Sequence, residues 1–336
     1  MEYRYVGNSG LQVSLAGLGA STFGQMDEQE STRLVHAALE LGVNHFDSAD
    51  IYGGNAAMNA RTRPLKLTRE DDPAVYGGNG SSEIALGRAL KGRRHEAVVA
   101  SKFGNRMGDS PMHWGGSRRW IMEAVEDSLR RLDMDYIDLY YMHYPDLNTP
   151  HEETVRAMDD LVTQGKVRYL ANSNMAAWQI MDYSWIAQTQ GRSPFICTEM
   201  QYHLLDRKVE VDVIPATKVR GMGFIPYAPL ARGMLTGKYR QGAPIPEGSR
   251  LGRAPQARGL LVDENYELIN RLQAYAEARG HTIHELALSW LACKPFVSSV
   301  IAGVSNIDQM HSNVAATTAW KLTAEEMAEV DAISAR

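Results

Sequence analysis

Short apolar runs bounded by turn residues recur along the chain at 13–19, 43–47, 97–102, 136–143, 168–173, 195–201, 224–229 and 298–303. Each has the length and composition of a strand buried on both faces. Between them lie longer segments, at 28–41, 117–132, 152–164, 175–188 and 264–279, whose apolar positions return at helical spacing. Such alternation predicts parallel strands joined by crossover helices. Eight units favour a closed (β/α)8 TIM barrel in the α/β class over an open doubly wound sheet. Against the open sheet, Gly17-Leu18-Gly19-Ala20-Ser21-Thr22 after the first run is not a Gly-x-Gly-x-x-Gly turn. The helix that begins at Glu28 also starts too late to cradle a pyrophosphate there.

Smaller elements complete the pattern. Residues 3–14, with Gly7-Asn8-Ser9-Gly10 at their centre, predict a β-hairpin able to plug the barrel floor. Thr323-Ala324-Glu325-Glu326 is a capping box that opens an additional C-terminal helix running to Ser334. No linker or composition shift divides the chain, so residues 1–336 are expected to form a single barrel domain. One insertion interrupts it at about 55–76, between the second strand and second helix, where Tyr52-Gly53-Gly54-Asn55 recurs as Tyr76-Gly77-Gly78-Asn79. Its charged centre suits substrate enclosure, subunit contact or a solvated excursion equally.

Composition narrows the function classes. With 44% hydrophobic and 22% charged residues and 13 prolines, the chain has the material for a large core and no signature of disorder. A net charge of -5 gives no reason to expect nucleic acid or an anionic membrane as partner. Two cysteines, Cys197 and Cys293, are too few for a disulfide framework and are expected to be buried thiols. Residues 1–5 lack the basic and apolar character of a secretion signal, and no run reaches the ~20 apolar residues of a membrane span. A cytoplasmic location is the expectation.

Four polar residues, Asp47, Tyr52, Lys102 and His143, stand at or just past the ends of different apolar runs. In a barrel, strand C-terminal ends carry the chemistry, so an acid, a phenol, an amine and an imidazole would meet at one rim. They fit one task, which is protonating a carbonyl oxygen while hydride arrives at its carbon. A tyrosine with a pKa of ~10 is a poor acid at neutral pH, and a neighbouring lysine is expected to bring it down. Asp47 would orient that lysine, and His143 would donate to the same oxygen. No metal is expected, because the chain has no His-x-His and no His-Glu-x-x-His, and the Lys102 charge would oppose a cation. Gly303-Val304-Ser305-Asn306-Ile307-Asp308-Gln309-Met310-His311-Ser312-Asn313 follows the eighth run at a helix start, a place suited to phosphate. Asn306 or Ser305 could equally be a simple cap there.

Several stretches carry a resemblance to a known family: Phe46-Asp47-Ser48-Ala49-Asp50-Ile51-Tyr52-Gly53, Ser101-Lys102, Tyr141-Met142-His143-Tyr144-Pro145-Asp146, Asn172-Ser173-Asn174, Tyr227-Ala228-Pro229-Leu230 and the 303–313 loop. Together they resemble the aldo-keto reductase superfamily over nearly the full length outside the insertion. Asn148-Thr149-Pro150-His151-Glu152-Glu153-Thr154, Pro229-Leu230-Ala231-Arg232-Gly233 and Thr236-Gly237-Lys238-Tyr239 are similar to the branch holding potassium-channel β subunits and bacterial glyceraldehyde-phosphate reductases. The resemblance implies hydride transfer between a nicotinamide cofactor and the carbonyl of a small aldehyde, ketone or sugar, with a tyrosine as general acid and base. The cofactor would be NADP, with NAD as the alternative, and would lie across the barrel mouth beside Ser21, Gln25 and Asp47. Ser173, Asn174 and Glu199 would meet its carboxamide, and Tyr227 would stack on its ring. Ala228, Pro229, Leu230, Ala231, Arg232, Gly233 and Lys238 would wrap the pyrophosphate. Arg250, Gly303, Val304, Ser305, Gln309 and Asn313 would hold the adenosine end. A homotetramer is suggested by the resemblance alone.

Three departures from that family pattern matter. Its tyrosine lies five residues after the aspartate and also just before the next helix; Tyr52 meets the first condition and Tyr76 the second, with Tyr52 favoured because the strand that fixes Asp47 also holds it. Glu199 stands where the family usually has glutamine. The 303–313 loop has no lysine or arginine, so NADP rests on Arg250, Ser305 and Gln309. Beyond the third strand, Phe103-Gly104-Asn105-Arg106-Met107 to Trp114 would line the substrate pocket, with Trp114 or Met107 as an apolar wall or Trp114 equally packing the loop on itself, and Arg106 placed to meet an anionic or sugar-phosphate substrate. Two other readings stand beside carbonyl reduction. One is a sugar dehydrogenase working oxidatively, and the other is a cofactor-bound regulatory subunit, although the channel subunits lack a histidine at the position of His143.

Overall fold

The computed structural model describes residues 1–53, 80–108, 110–253 and 255–335. The insertion expected at about 55–76, and Tyr76 with it, lies outside the described residues. Two short antiparallel strands come first, β1 (Tyr3–Tyr5) and β2 (Gln12–Ser14), paired from Tyr3 opposite Ser14 to Tyr5 opposite Gln12. Eight parallel strands follow: β3 (Ala16–Gly19), β4 (His45–Asp47), β5 (Val98–Phe103), β6 (Ile137–Met142), β7 (Val167–Ser173), β8 (Phe195–Gln201), β9 (Gly223–Tyr227) and β10 (Val300–Gly303). They pair in chain order, and β10 closes on β3, giving the expected barrel.

Helices alternate with the strands: α1 (Glu28–Glu40), α2 (Ser81–Ala89), α3 (Arg118–Leu132), α4 (His151–Thr163), α5 (Ala177–Thr189), α6 (Val213–Arg220), α7 (Asp263–Glu277), α8 (Ile283–Ala292) and α9 (Ile307–Ala319), with α10 (Ala324–Ile333) after them. Local chemistry starts several of them. Asp27 accepts from the Gln29 amide and Ser117 from the Trp120 amide. Thr282 with Glu285 and Thr323 with Glu326 form reciprocal capping boxes. The apolar run at 13–19 is two strands rather than one. The chain breaks at Leu15, whose amide donates to the Glu2 carbonyl, while the Ser14 hydroxyl turns onto the Ala16 carbonyl. Helix α8 escaped the periodic pattern because it is buried on nearly every side, with Ile283 and all of residues 286–292 out of solvent.

The hairpin closes the floor of the barrel. Val6 and Val13 join Val98, Leu139, Ile196, Ile225 and Ile301 in the interior cluster. Gly7, at φ 54°, lies so close to the next elements that a Cβ there would meet the Gly221 oxygen and the Gly223 nitrogen at 2.5 Å. The Arg4 guanidinium donates to the carbonyls of Ala292, Lys294 and Val297 at 2.7, 3.2 and 2.9 Å. It thereby satisfies the last carbonyl of α8 and reaches two carbonyls of the segment that follows. A second, larger cluster fills the space between barrel and helices. Cys197 is buried and Cys293 half-buried, both as free thiols. Among the described residues no helix is long and apolar enough to cross a membrane.

Arg4→Ala takes the donor from the Ala292 and Val297 carbonyls and unties the hairpin, so stability should fall by about 2–4 kcal/mol, seen as a lowered thermal midpoint with barrel secondary structure retained. An unchanged midpoint would mean that the hairpin seals nothing.

Candidate active site

Successive strands deliver the polar residues to one rim. Asp47 ends β4, Lys102 lies in β5, His143 follows β6, Ser173 ends β7, Glu199 lies in β8 and Tyr227 ends β9. Parallel pairing sets Lys102 opposite Tyr141, Ser173 opposite Glu199 and Gln201 opposite Tyr227. The Lys102 side chain is wholly buried. Its Nζ donates to both carboxylate oxygens of Asp47 at 2.5 and 2.6 Å and to the Ser48 carbonyl at 3.0 Å. A second carboxyl approaches the same nitrogen, with Glu199 Oε2 at 3.4 Å. That oxygen is buried and makes no hydrogen bond among the described residues.

These charges set one another. Burial works against the Lys102 ammonium, yet Asp47 and Glu199 outweigh it and hold lysine above its ordinary value. Burial raises the Asp47 carboxyl against the pull of Lys102. Burial, reinforced by the Asp47 charge, raises Glu199 to about 8. One ammonium therefore serves two carboxyls, and burial raises both of them.

Tyr52 sits half-buried on the turn after β4. Its amide donates to the Ala49 carbonyl at 3.0 Å, and its carbonyl accepts from the Ser82 amide at the start of α2. Lys102 Nζ lies 5.1 Å from the centre of its ring, and the His143 ring meets it edge-on with centroids 5.7 Å apart. The ammonium pulls the phenol down as expected, but burial outweighs that pull, and the charges of Asp47 and Glu199 add to the rise, so the phenol ends above its ordinary value. The phenol keeps its proton across the neutral range. His143 is held by its amide, which donates to the Phe103 carbonyl at 2.8 Å, and by Tyr144, stacked at 5.0 Å. Burial first, and then the Lys102 charge, hold it well below the usual histidine range, so its imidazole is neutral.

Residues expected at a cofactor form a connected set. The Ser173 hydroxyl donates to the Glu199 carbonyl at 2.9 Å, Asn174 Nδ2 to the Ser173 hydroxyl at 2.9 Å, and the Tyr227 hydroxyl to Asn174 Oδ1 at 2.8 Å. After Tyr227 the backbone turns left-handed at Ala228, Ala231, Arg232 and Gly233. Pro229 is buried and Leu230 half-buried in the same loop. The exposed Lys238 folds back over it, so a Cβ on Gly233 would meet Lys238 Nζ at 3.0 Å. Ser21 is half-buried and Gln25 exposed in the turn after β3, and neighbouring Thr22 donates to the Val304 carbonyl at 2.8 Å, joining this turn to the segment after Gly303. Ser305 donates through its amide and its hydroxyl to Gln309 Oε1, both at 3.0 Å. Asn313 is buried beside His284, 2.9 Å from its Nε2, and Arg250 opens a short helical turn. In the loop after β5, Trp114 is half-buried, Met107 packs on the outer core, and the Arg106 Nε donates to the Gly108 carbonyl at 3.2 Å.

Two partnerships escaped the sequence reading, although Asn105 lies in the segment expected to line the pocket. Asn105 Nδ2 lies 2.7 Å from His143 Nδ1. Behind Tyr52, buried Asp50 donates its amide to the Lys102 carbonyl, while buried Glu83 takes Ser101 Oγ at 2.5 Å and Arg131 Nε at 2.6 Å. Asp50 lay inside a marked run, whereas Glu83 and Arg131 reach the site from α2 and α3 through contacts that no local pattern encodes.

Comparison with known proteins agrees with this geometry. The model of the Aldo/keto reductase family matches residues 16–335. The chain is 36% identical to a probable voltage-gated potassium channel subunit beta from Oryza sativa subsp. japonica, with 100% of this chain and 96% of that protein covered. It is 33% identical to an L-glyceraldehyde 3-phosphate reductase from Escherichia coli O157:H7, over 98% of this chain and 92% of the relative. A probable voltage-gated potassium channel subunit beta from Arabidopsis thaliana is 35% identical over 94% of this chain and 91% of its own length. With the barrel closed, its polar rim assembled and the family model spanning nearly every residue, the chain belongs to the aldo/keto reductase family.

Proposed function

We propose that this protein is an NADP-dependent carbonyl reductase acting on a small aldehyde, ketone or sugar, with Tyr52 as the proton donor. The observation that carries the reading is the pairing of two neutral donors, the Tyr52 phenol and the His143 imidazole, their ring centroids 5.7 Å apart, beside an ammonium locked on Asp47.

The residues present fit a nicotinamide dinucleotide. The left-handed loop at 228–233 leaves Gly233 without a side chain where Lys238 folds over it, a cradle that any Cβ would fill. Successive backbone amides in such a conformation, together with Lys238 and Arg232, suit a pyrophosphate. Ser173 and Asn174 offer polar groups at the rim, and Arg250, Ser305 and Gln309 are the groups on which the preference for NADP over NAD rests. When bound, the reduced cofactor would supply the hydride.

The protein's own groups handle the proton. Tyr52, neutral at physiological pH, gives its hydroxyl proton to the carbonyl oxygen as charge develops there. The Lys102 ammonium, 5.1 Å from the ring centre, stabilises the phenolate left behind. His143 donates a second hydrogen bond to the same oxygen and orients it. Burial keeps the phenol protonated, so the proton that carbonyl reduction needs is in place at neutral pH, whereas oxidation of a hydroxyl would use the phenolate.

NADPH absorbance followed with a panel of aldehydes, ketones and sugars should show turnover that falls roughly 10²–10⁴-fold in kcat in Tyr52→Phe with cofactor affinity kept. Loss confined to Tyr76→Phe would move the acid to that residue, and cofactor binding without turnover in either direction would favour the regulatory reading. In a pH series, reduction should hold through the neutral range while oxidation climbs steadily into alkali; a bell centred near neutrality for oxidation would contradict the protonated phenol. Stability offers a check that needs no substrate. A Glu199 carboxyl raised from 4.5 to about 8 contributes stability that is complete below the lower value and lost as pH rises through the upper one. Wild type should thus lose on the order of a few kcal/mol across that window relative to Glu199→Gln in paired denaturation curves. Parallel curves would mean that Glu199 is ionised throughout.

A further inference from the structure

The His143 imidazole has two possible neutral tautomers, and only one can act as a hydrogen-bond donor toward a carbonyl oxygen from Nε2. The choice lies with whatever meets Nδ1. That atom faces Asn105 Nδ2 at 2.7 Å. Asn105 follows β5 by two residues, next to Gly104, whose φ of 107° turns the chain back toward the rim. The turn is fixed from both sides, since the Gly115 amide donates to the Gly104 carbonyl at 3.0 Å and the His143 amide to the Phe103 carbonyl at 2.8 Å. The segment bearing Asn105 and the segment bearing His143 are thus tied by their backbones before their side chains meet. Around the ring, Tyr144 is stacked at 5.0 Å and Tyr52 lies T-shaped to it with centroids 5.7 Å apart, and the His143 carbonyl accepts from Asn174 Nδ2 at 3.0 Å.

We propose that Asn105 is a positioning residue that donates its amide hydrogen to His143 Nδ1 and so locks the imidazole as the Nε2–H tautomer, the form able to donate to the substrate's carbonyl oxygen. The proposal rests on the reading of His143 as such a donor. The balance of protons is simple. A neutral imidazole carries one N–H, so a nitrogen that accepts from Asn105 forces that hydrogen to the other nitrogen. Burial and the nearby Lys102 charge both oppose a second proton on the ring, which keeps the choice between two neutral forms rather than making it an imidazolium. The lock also aims the ring, as the partner of a histidine's far nitrogen does in metal and triad sites.

Asn105→Asp is the discriminating substitution. A carboxylate of the same size can only accept, so it would draw the hydrogen to Nδ1 and leave Nε2 as an acceptor facing the carbonyl oxygen. Asn105→Leu removes the bond without imposing the opposite tautomer. Histidine-selective ¹⁵N labelling of the full chain, with the His143 signals identified by their absence in His143→Gln, reads the tautomer directly and without cofactor or substrate. Expected are a protonated Nε2 and a bare Nδ1 in wild type, the reverse in Asn105→Asp, and a mixture in Asn105→Leu. A wild-type ring protonated at Nδ1, or one whose pattern is the same in all three proteins, would overturn the proposal whether or not the protein proves to be a reductase. Turnover adds the functional half. Where carbonyl reduction is measurable, Asn105→Asp should lower kcat roughly 10²-fold with NADPH affinity unchanged and Asn105→Leu should lower it less, whereas equal losses in the two would reduce Asn105 to a packing role.

Discussion

The bond between Lys102 and Asp47 is the constraint on which the rest of the site depends. Both side chains are out of solvent, and the ammonium meets both carboxylate oxygens at 2.5 and 2.6 Å. Taking two charges from water costs several kcal/mol each, which their attraction returns only where the geometry is tight and the leftover hydrogen-bonding capacity is used. Here the geometry comes from the barrel itself. Asp47 and Lys102 project from neighbouring strands whose register is fixed by ladder bonds running from His45 opposite Val98 to Asp47 opposite Ala100. The Ser48 carbonyl takes a further ammonium proton. A slip of one residue in either strand would turn one partner out of the barrel interior and leave the other as an unpaired buried charge.

Consequences spread outward from that pair. Burial, reinforced by its positive member, holds the His143 imidazole well below the usual histidine range and so keeps it neutral. Its negative member, together with Glu199, offsets the pull of Lys102 on the Tyr52 phenol, which burial already raises. Both donors at the rim are therefore neutral in the ground state. In the mechanism we propose, a proton given to substrate oxygen would leave the phenol negative beside a cation already in place, so the environment would be complementary to the charge that forms rather than to the charge at rest. The barrel floor serves the same end indirectly. Val6 and Val13 close the interior beneath Tyr141 and Cys197, so the low-dielectric column under Lys102 is sealed at its far end.

Much of this was legible in the chain because strand and helix periods differ so plainly. The eight buried runs, the hairpin and the capping box at Thr323 all have local causes, namely apolar continuity, turn glycines and a Thr-x-x-Glu spacing. What resisted reading lies where context overrides pattern. Helix α8 lost its stripe through burial on all sides, and Leu15 broke one apolar run into a hairpin strand and a barrel strand through backbone bonds to Glu2 that only the fold supplies. At the site, strand-end position identified Asp47, Lys102 and His143, since each projects from an element whose direction is set. Spacing put Lys102 beside Tyr52, and its charge does pull the phenol down, but spacing does not reveal how much water burial has removed, and burial wins. Asn105 had no strand to fix its direction, and its partnership with His143 arises from a loop turned by Gly104.

The loop after Tyr227 carries the same logic into the backbone. Ala228, Ala231 and Arg232 all hold positive φ, between 47° and 56°, where a side chain costs roughly 1 kcal/mol or more per residue. Short turn bonds recover part of that, from the Ala231 amide to the Ala228 carbonyl at 2.9 Å and from the Gly233 amide to the Leu230 carbonyl at 2.8 Å. A fold free to choose would place glycine at each strained position, yet only Gly233 is one, and there Lys238 occupies the space that a Cβ would take. The three non-glycine residues narrow the unfolded chain's freedom and hold the loop in one shape. Strain fixed in advance in this way spares a ligand the cost of ordering the loop, which is the arrangement expected where a flexible, charged molecule must be gripped along its length.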